Sequence, residues 1–171
     1  METWDAIRAR RNVRDYTDEP IPDAALHHIL EAARRTPSAN NRQSWDFILV
    51  TGREALVELA KTWPQGGTHI ARAQAAIVLV APVLAEDQAG LVQYDLGQAT
   101  MSIMLAATDL GIGTGHAVVR DQDLAKQLLD LPDDRFAAYM IGLGYPADRP
   151  VRPLRNPNRR AFDEVVHRQR W

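Results

Sequence analysis

Apolar residues recur along this chain with two periods, one helical and one continuous, and the places where each stops are marked by proline and glycine. Thr3 is positioned to cap a short helix running through Arg10, and Pro22-Asp23 opens a second in which Leu26, Ile29, Leu30 and Ala33 share one face. That helix should end near Thr36, because Pro37 disfavours helical backbone in the residue before it, so Pro37-Ser38-Ala39-Asn40-Asn41 is expected to be a loop. Trp45 to Thr51 predicts a strand, Arg53 to Thr62 a helix, Pro64-Gln65-Gly66-Gly67 a break, and Thr68 to Arg72 a short further helix. Ala75 to Ala81 is apolar throughout with β-branched members, as expected of a strand covered on both faces.

The longest helix is expected from about Ala89 to Leu110, where Gly97, Ala99, Ser102 and Ala106 would let another helix approach closely. Gly111, Gly113 and Gly115 should end it and lead into a short strand or loop through Val119, then a helix over Gln122 to Leu131 and a strand over Phe136 to Leu143. From Gly144 to Asn158 four prolines (Pro146, Pro150, Pro153, Pro157) exclude regular structure. An extended arm of such length is expected to lie against something, here a partner subunit. Phe162 to Val166 reads as a strand. Two helices before the first strand, and strands that do not alternate strictly with helices, indicate an α+β domain rather than a doubly wound sheet.

Composition narrows the chemistry. The chain has 171 residues, a length suited to one domain spanning 1–171, with an extended arm at about 145–171. A net charge of −2 provides no overall attraction to nucleic acid or anionic lipid, and the basic clusters are local exceptions. Without cysteine there is no disulfide, thiolate metal ligand or cysteine nucleophile, so redox chemistry would need a cofactor. No signal-like start is present at Met1 and no apolar stretch reaches bilayer length; the expectation is a soluble cytoplasmic protein without membrane or nucleic-acid partners.

The residues with chemical promise gather in two segments flanking the second helix. Arg10, Arg11 and Arg14 place three guanidiniums within five residues, a set that can either form a solvated charged face or grip a phosphate with forked hydrogen bonds. Arg159-Arg160 after the proline arm is a second basic cluster that could converge on the same anion. Ser38, Asn40, Asn41 and Gln43 either satisfy their own loop backbone or offer amides and a hydroxyl to a flat heterocycle. The glycines at 111, 113 and 115 do not make a dinucleotide fingerprint, since no strand precedes them and His116 occupies the third glycine position. The five histidines have no metal-ligand spacing, no nucleophile elbow is present, and Glu86-Asp87 and Asp133-Asp134 read as exposed loop acids.

The opening Arg10-Arg11-Asn12-Val13-Arg14-Asp15-Tyr16 resembles the Arg-Arg-Ser-x-Arg-x-Phe motif of the nitroreductase-like flavoproteins, and Pro37 to Trp45 is similar to that family's Pro-Ser-x-x-Asn-x-Gln-Pro-Trp. The resemblance continues through Leu110-Gly111-Ile112-Gly113-Thr114, Ile141 to Pro146 and Arg160 to Val166, covering nearly the whole chain. It implies a central antiparallel sheet flanked by helices, a C-terminal arm exchanged in a homodimer, and two FMN sites at the interface. Carried over by position, Arg10, Arg11, Asn12 and Arg14 with Arg159 and Arg160 would hold the phosphate and ribityl chain. Pro37, Ser38, Ala39 and Asn41 would reach the flavin from the other subunit, and the backbone at Ala117 to Val119 would pass the ring.

What the resemblance implies functionally is an FMN-dependent oxidoreductase that takes hydride from NADH or NADPH and passes it to a small-molecule acceptor such as a nitroaromatic or quinone, with no catalytic side chain and no metal. Two alternatives stay open: a flavoenzyme of the same family acting in dehydrogenation or dehalogenation, and a non-catalytic flavin-binding or scaffold dimer. Asn12 stands for the family's serine and Ser44 for its proline, and the chain has no large insertion within or after the long helix, which implies an open site.

Overall fold

The computed structural model describes residues 1–171, apart from the side chains of 86–88. Its frame is a four-stranded sheet of order β1-β2-β4-β3, in which β1 is Asp46–Thr51, β2 Ala75–Pro82, β3 Gly113–Val118 and β4 Arg135–Gly144. Every neighbouring pair is antiparallel, with Ile48 opposite Val78, Ile77 opposite Ile141, and His116 also opposite Ile141 from the other side. The fold is therefore α+β with a central antiparallel sheet, as the pattern and the motifs imply.

β2 explains why its sequence is apolar at every position. Ala75, Ile77, Leu79 and Ala81 face one core, shared with Ile29 of α2 (Asp23–Arg34) and with Leu96, Ala99 and Ile103 of α4 (Glu86–Asp109). Ala76, Val78 and Val80 face the other, with Leu56 and Leu59 of α3 (Arg53–Ala60) and Ala125 of α5 (Gln122–Leu129). Successive side chains point to opposite faces of a strand, so a strand covered on both faces must be apolar continuously. Burying one such leucine or isoleucine contributes roughly 1.5 to 3 kcal/mol, which makes β2 and β4 the parts of the sheet most costly to disturb.

The small residues of α4 do not all serve one contact. Ala99 and Ala106 pack in the α2 side of the core, and the Thr36 hydroxyl beyond the end of α2 lies 2.9 Å from the Ser102 hydroxyl. Gly97 does not serve that contact: an added Cβ there would meet nothing within 4 Å. It lies on the outward side of α4 with exposed Leu91, Tyr94 and Met101. α4 ends in a left-handed Gly111 (φ 74°), where Ile112 N donates to Ala107 O at 2.8 Å, the paired bonding by which a helix commonly stops at glycine.

Four sequence expectations are corrected. Thr3 is the first residue of α1 (Thr3–Ala9), not its cap; Glu2 holds that position and makes no side-chain cap bond. Gly113 and Gly115 lie inside β3 instead of ending a helix. Glu86 and Asp87 begin α4 rather than a loop, and their side chains are outside the described residues. Phe162–Val165 is a single helical turn, α6, because it pairs with no strand and its β-favouring residues stay exposed. Among the described residues no helix is long and apolar enough to cross a membrane.

Candidate functional site

The amino-terminal arginine segment continues the sheet. Val13 N donates to Thr114 O at 2.8 Å, Asn12 forms a parallel bridge with Thr114, and Tyr16 forms an antiparallel bridge with Pro146. Glycines 113 and 115 make this possible: a Cβ on Gly113 would sit 2.6 Å from Val13 Cγ2, and one on Gly115 would strike the Val13 carbonyl. What these glycines admit is the chain's own segment. Tyr16 locks the far end, its hydroxyl donating within 2.8 Å of Val13 O and 3.2 Å of Gly142 O, and burial pushes its pKa well above the usual phenol value.

Extended backbone sends alternate side chains to opposite sides, and this separates the three arginines. Arg10 and Asn12 meet at 3.2 Å, and Arg10 also rests 3.6 Å from Met104 Sδ of α4. Arg10 and Arg14 both act on His116, whose pKa is lowered first by desolvation and then by those two positive charges. Arg11 points the other way. Its guanidinium donates to Asp148 at 2.6 Å and to the Arg149 carbonyl at 2.8 Å, and its buried Nε finds no acceptor among the described residues. Arg10 and Arg14 hold no carboxylate among the described residues, so their forks are free for an anion.

Beside them a cleft of about 430 Å³ is lined by Arg14, Trp63, Gln65, His69, His116 and Ala117. His69 is 1% exposed; its Nε2 lies 3.0 Å from the Gly115 carbonyl, and burial is the main cause lowering its pKa. A neutral ring donating through Nε2 therefore fixes the β3 backbone next to His116. Arg120 stacks 5.7 Å from the Trp63 ring centroid at the cleft's edge.

The second predicted segment lies elsewhere on α4. Ser38 precedes a 3-10 turn at Ala39–Asn41, and the buried Asp95 carboxylate accepts Ala39 N at 3.2 and 3.1 Å. Ser38 Oγ accepts Gln43 N at 2.9 Å, and Gln43 Nε2 donates to Asn41 O at 3.3 Å. Asn40, Asn41 and Gln43 all have positive φ (52°, 54° and 50°), so the loop is held in a conformation that asparagine tolerates better than most residues. Pro37 and Asn41 are exposed. Asp95 and Met104 are nine residues apart, or about 13 Å along the helix axis, so one protomer keeps the loop and the arginine segment at separate places on α4.

Of the carboxy-terminal arginines, Arg159 lines a cavity with Arg10, Trp4, Ile7 and Arg155, while Arg160 is exposed and paired with Glu164 at 3.4 Å. The arm itself is pinned to its own protomer as far as Leu154, whose N donates to Arg8 O at 3.2 Å. Sequence reasoning missed Asp95, His69 and Trp63 as site-building residues. A carboxylate among the apolar Val92, Leu96 and Ala99 of a core helix was the available signal for Asp95; no pattern pointed to His69, whose role depends on β3 lying over it.

The sequence profile of the Nitroreductase family matches residues 7–81 and 65–145. The chain belongs to the Nitroreductase family. A proposed NADH dehydrogenase/NAD(P)H nitroreductase of Archaeoglobus fulgidus is 34% identical over 96% of this chain and 96% of its own. An FMN reductase [NAD(P)H] of Bacillus subtilis is 26% identical over 91% of this chain and 70% of its own. The crystal structure of a proposed NADH dehydrogenase/NAD(P)H nitroreductase from Parabacteroides distasonis ATCC 8503 is 25% identical, with a TM-score of 0.84 covering 100% of this chain and 99% of that one. The family match extends across the sheet, α4 and the arginine segment alike.

Proposed function

We propose that this nitroreductase-family chain is an FMN-dependent NAD(P)H oxidoreductase, working as a homodimer and reducing small acceptors such as nitroaromatics or quinones. The observation that carries the reading is the triad Arg10, Asn12 and Arg14: two guanidiniums without carboxylate partners among the described residues and one amide, turned to the same side of a segment that is hydrogen-bonded into the sheet. This donor set fits a phosphate ester and its neighbouring hydroxyls. Each forked contact contributes roughly 1.5 to 3 kcal/mol when partly desolvated. When bound, FMN supplies the two-electron chemistry, accepting hydride from the nicotinamide and delivering it to the acceptor in a second half-reaction.

The chain's own residues bind and orient. Arg10, Asn12 and Arg14 hold the phosphate and ribityl end, with Arg159 reaching it from the arm and Arg160 available to it once freed from Glu164. Arg11 acts from the opposite side of the segment, fixing the arm that carries Arg159. Pro37, Ser38, Ala39 and Asn41, in a loop set by the bond from Ala39 N to Asp95, face the ring bound on the partner protomer, with the Ser38 hydroxyl and the Asn41 side-chain amide as its polar groups, which accounts for their separation from the arginines within one chain. Leu91, Tyr94 and Met101 on the outer side of α4 form the apolar part of the dimer contact. Residues beyond Arg159 are the part of the arm free to cross onto the partner. The domain is taken as one unit over 1–171.

The test is a flavin titration. Wild-type protein should quench FMN fluorescence saturably and turn yellow, and NAD(P)H should bleach it anaerobically. Arg14→Ala and Arg10→Ala should each weaken FMN binding by about ten-fold or more, since 1.4 kcal/mol is a factor of ten. Unchanged dissociation constants in both variants would remove the triad from the site.

A further inference from the structure

The arm carries a pattern unrelated to the flavin-binding motifs: Arg149-Pro150-Val151-Arg152-Pro153-Leu154-Arg155, with arginine at every third position and proline after the first two. Proline-rich extended chain has three residues per turn, which brings every third side chain to the same side. In the structure Arg149, Arg152 and Arg155 line one cavity of about 570 Å³ together with Arg11 and the prolines between them. Four guanidiniums there share one acid. Asp148 accepts Arg11 at 2.6 Å and lies 3.9 Å from Arg149, while Arg152 and Arg155 are in no ion pair among the described residues. The buried Arg11 Nε remains a donor without an acceptor among the described residues.

We propose that this cradle binds the 2′-phosphate of NADPH and so makes NADPH the preferred electron donor; the inference rests on the NAD(P)H oxidoreductase reading above. A phosphate monoester brings nearly two negative charges and three acceptor oxygens, which match several guanidinium forks. NADH lacks that group, and arginine is the usual partner for it where proteins distinguish the two dinucleotides. The cavity has the size of a nucleotide pocket rather than of a single phosphate. It also adjoins the flavin side, since Arg155 lines both this cavity and the neighbouring one that contains Arg10 and Arg159.

Arg152 is exposed and lines this cavity but not the neighbouring one with Arg10, so its replacement should leave folding intact. On FMN-loaded protein, Arg152→Ala should raise the KM for NADPH about ten-fold and Arg152→Glu further, while the KM for NADH changes less than about two-fold. Direct titration of the loaded wild type should show adenosine 2′,5′-bisphosphate binding at least ten-fold more tightly than ADP, a margin abolished by Arg152→Glu. Equal changes for NADH and NADPH, or equal binding of the two adenosine phosphates, would overturn the proposal. Inorganic phosphate binding as tightly as adenosine 2′,5′-bisphosphate would assign the cradle to free phosphate and overturn it too. Failure to oxidise either dinucleotide would instead remove the oxidoreductase reading, and the adenosine phosphate titration would still decide this one.

Discussion

Three arginines that look alike in the sequence have two different surroundings, and the division follows from the two-residue repeat of extended chain. Arg10 and Arg14 share a side with Asn12 and His116, whereas Arg11 lies with the arm. A helix continued through this segment would scatter them differently; the bridge to Thr114 prevents that. His69 is the clearest titrating residue of the site. Its pKa is depressed by burial, so the unfolded chain binds a proton more readily than the folded one. Its stabilising effect is therefore complete above the unfolded histidine value of about 6.5 and declines as pH falls below it toward the lower folded value. His69→Gln should unfold at a lower temperature than wild type at pH 7.5, and the gap should narrow by pH 5. A gap constant across that range, measured by thermal unfolding, would show that His69 does not bind its proton differently on folding.

At the scale of elements the arm from Tyr145 onward is the informative piece. Its prolines exclude helix and strand ladders, and what holds it is a few local contacts: Ala147 N to Asp15 O at 3.1 Å, Arg11 to Asp148, and Leu154 N to Arg8 O at 3.2 Å. An ion pair with one exposed partner contributes only about 0.5 to 1 kcal/mol, so the arm is secured by a sum of weak ties. Asp148→Asn should accordingly increase the rate of proteolytic cleavage within 149–159 by about two- to five-fold without changing the global unfolding temperature much. No increase would mean that backbone bonds alone retain the arm. α6 makes the complementary point: Phe162, Val165 and Val166 favour strands intrinsically, yet with no strand edge offered to them they form one exposed helical turn.

For the whole molecule, the outer side of α4 is the surface that a single chain leaves unfinished. Tyr94 is 70% exposed, Leu91 50% and Met101 43%, on the same helix whose inner side is fully buried. Covering such side chains contributes roughly 1.5 to 3 kcal/mol each, more than enough in combination to favour pairing at micromolar concentration. Light scattering should give twice the 19.1 kDa chain mass, and Tyr94→Glu with Met101→Glu should give the single mass together with weaker FMN binding. A monomeric wild type that binds FMN normally would remove the partner from the site.

Much of the architecture was legible from local chemistry. Pro37, Gly111 and the all-apolar run at Ala75 to Ala81 act on backbone torsion and burial where they stand, so helix ends and the doubly covered strand follow from the sequence alone. The two motifs likewise identify the family without coordinates. Only tertiary structure decided which arginines lie with His116 and which with the arm, that Asp95 sets the Ser38 loop, that His69 braces Gly115, and that glycines 113 and 115 make room for Val13. Each of these depends on two segments far apart in the chain meeting face to face, and sequence periodicity records which side of an element is buried but not what lies against it.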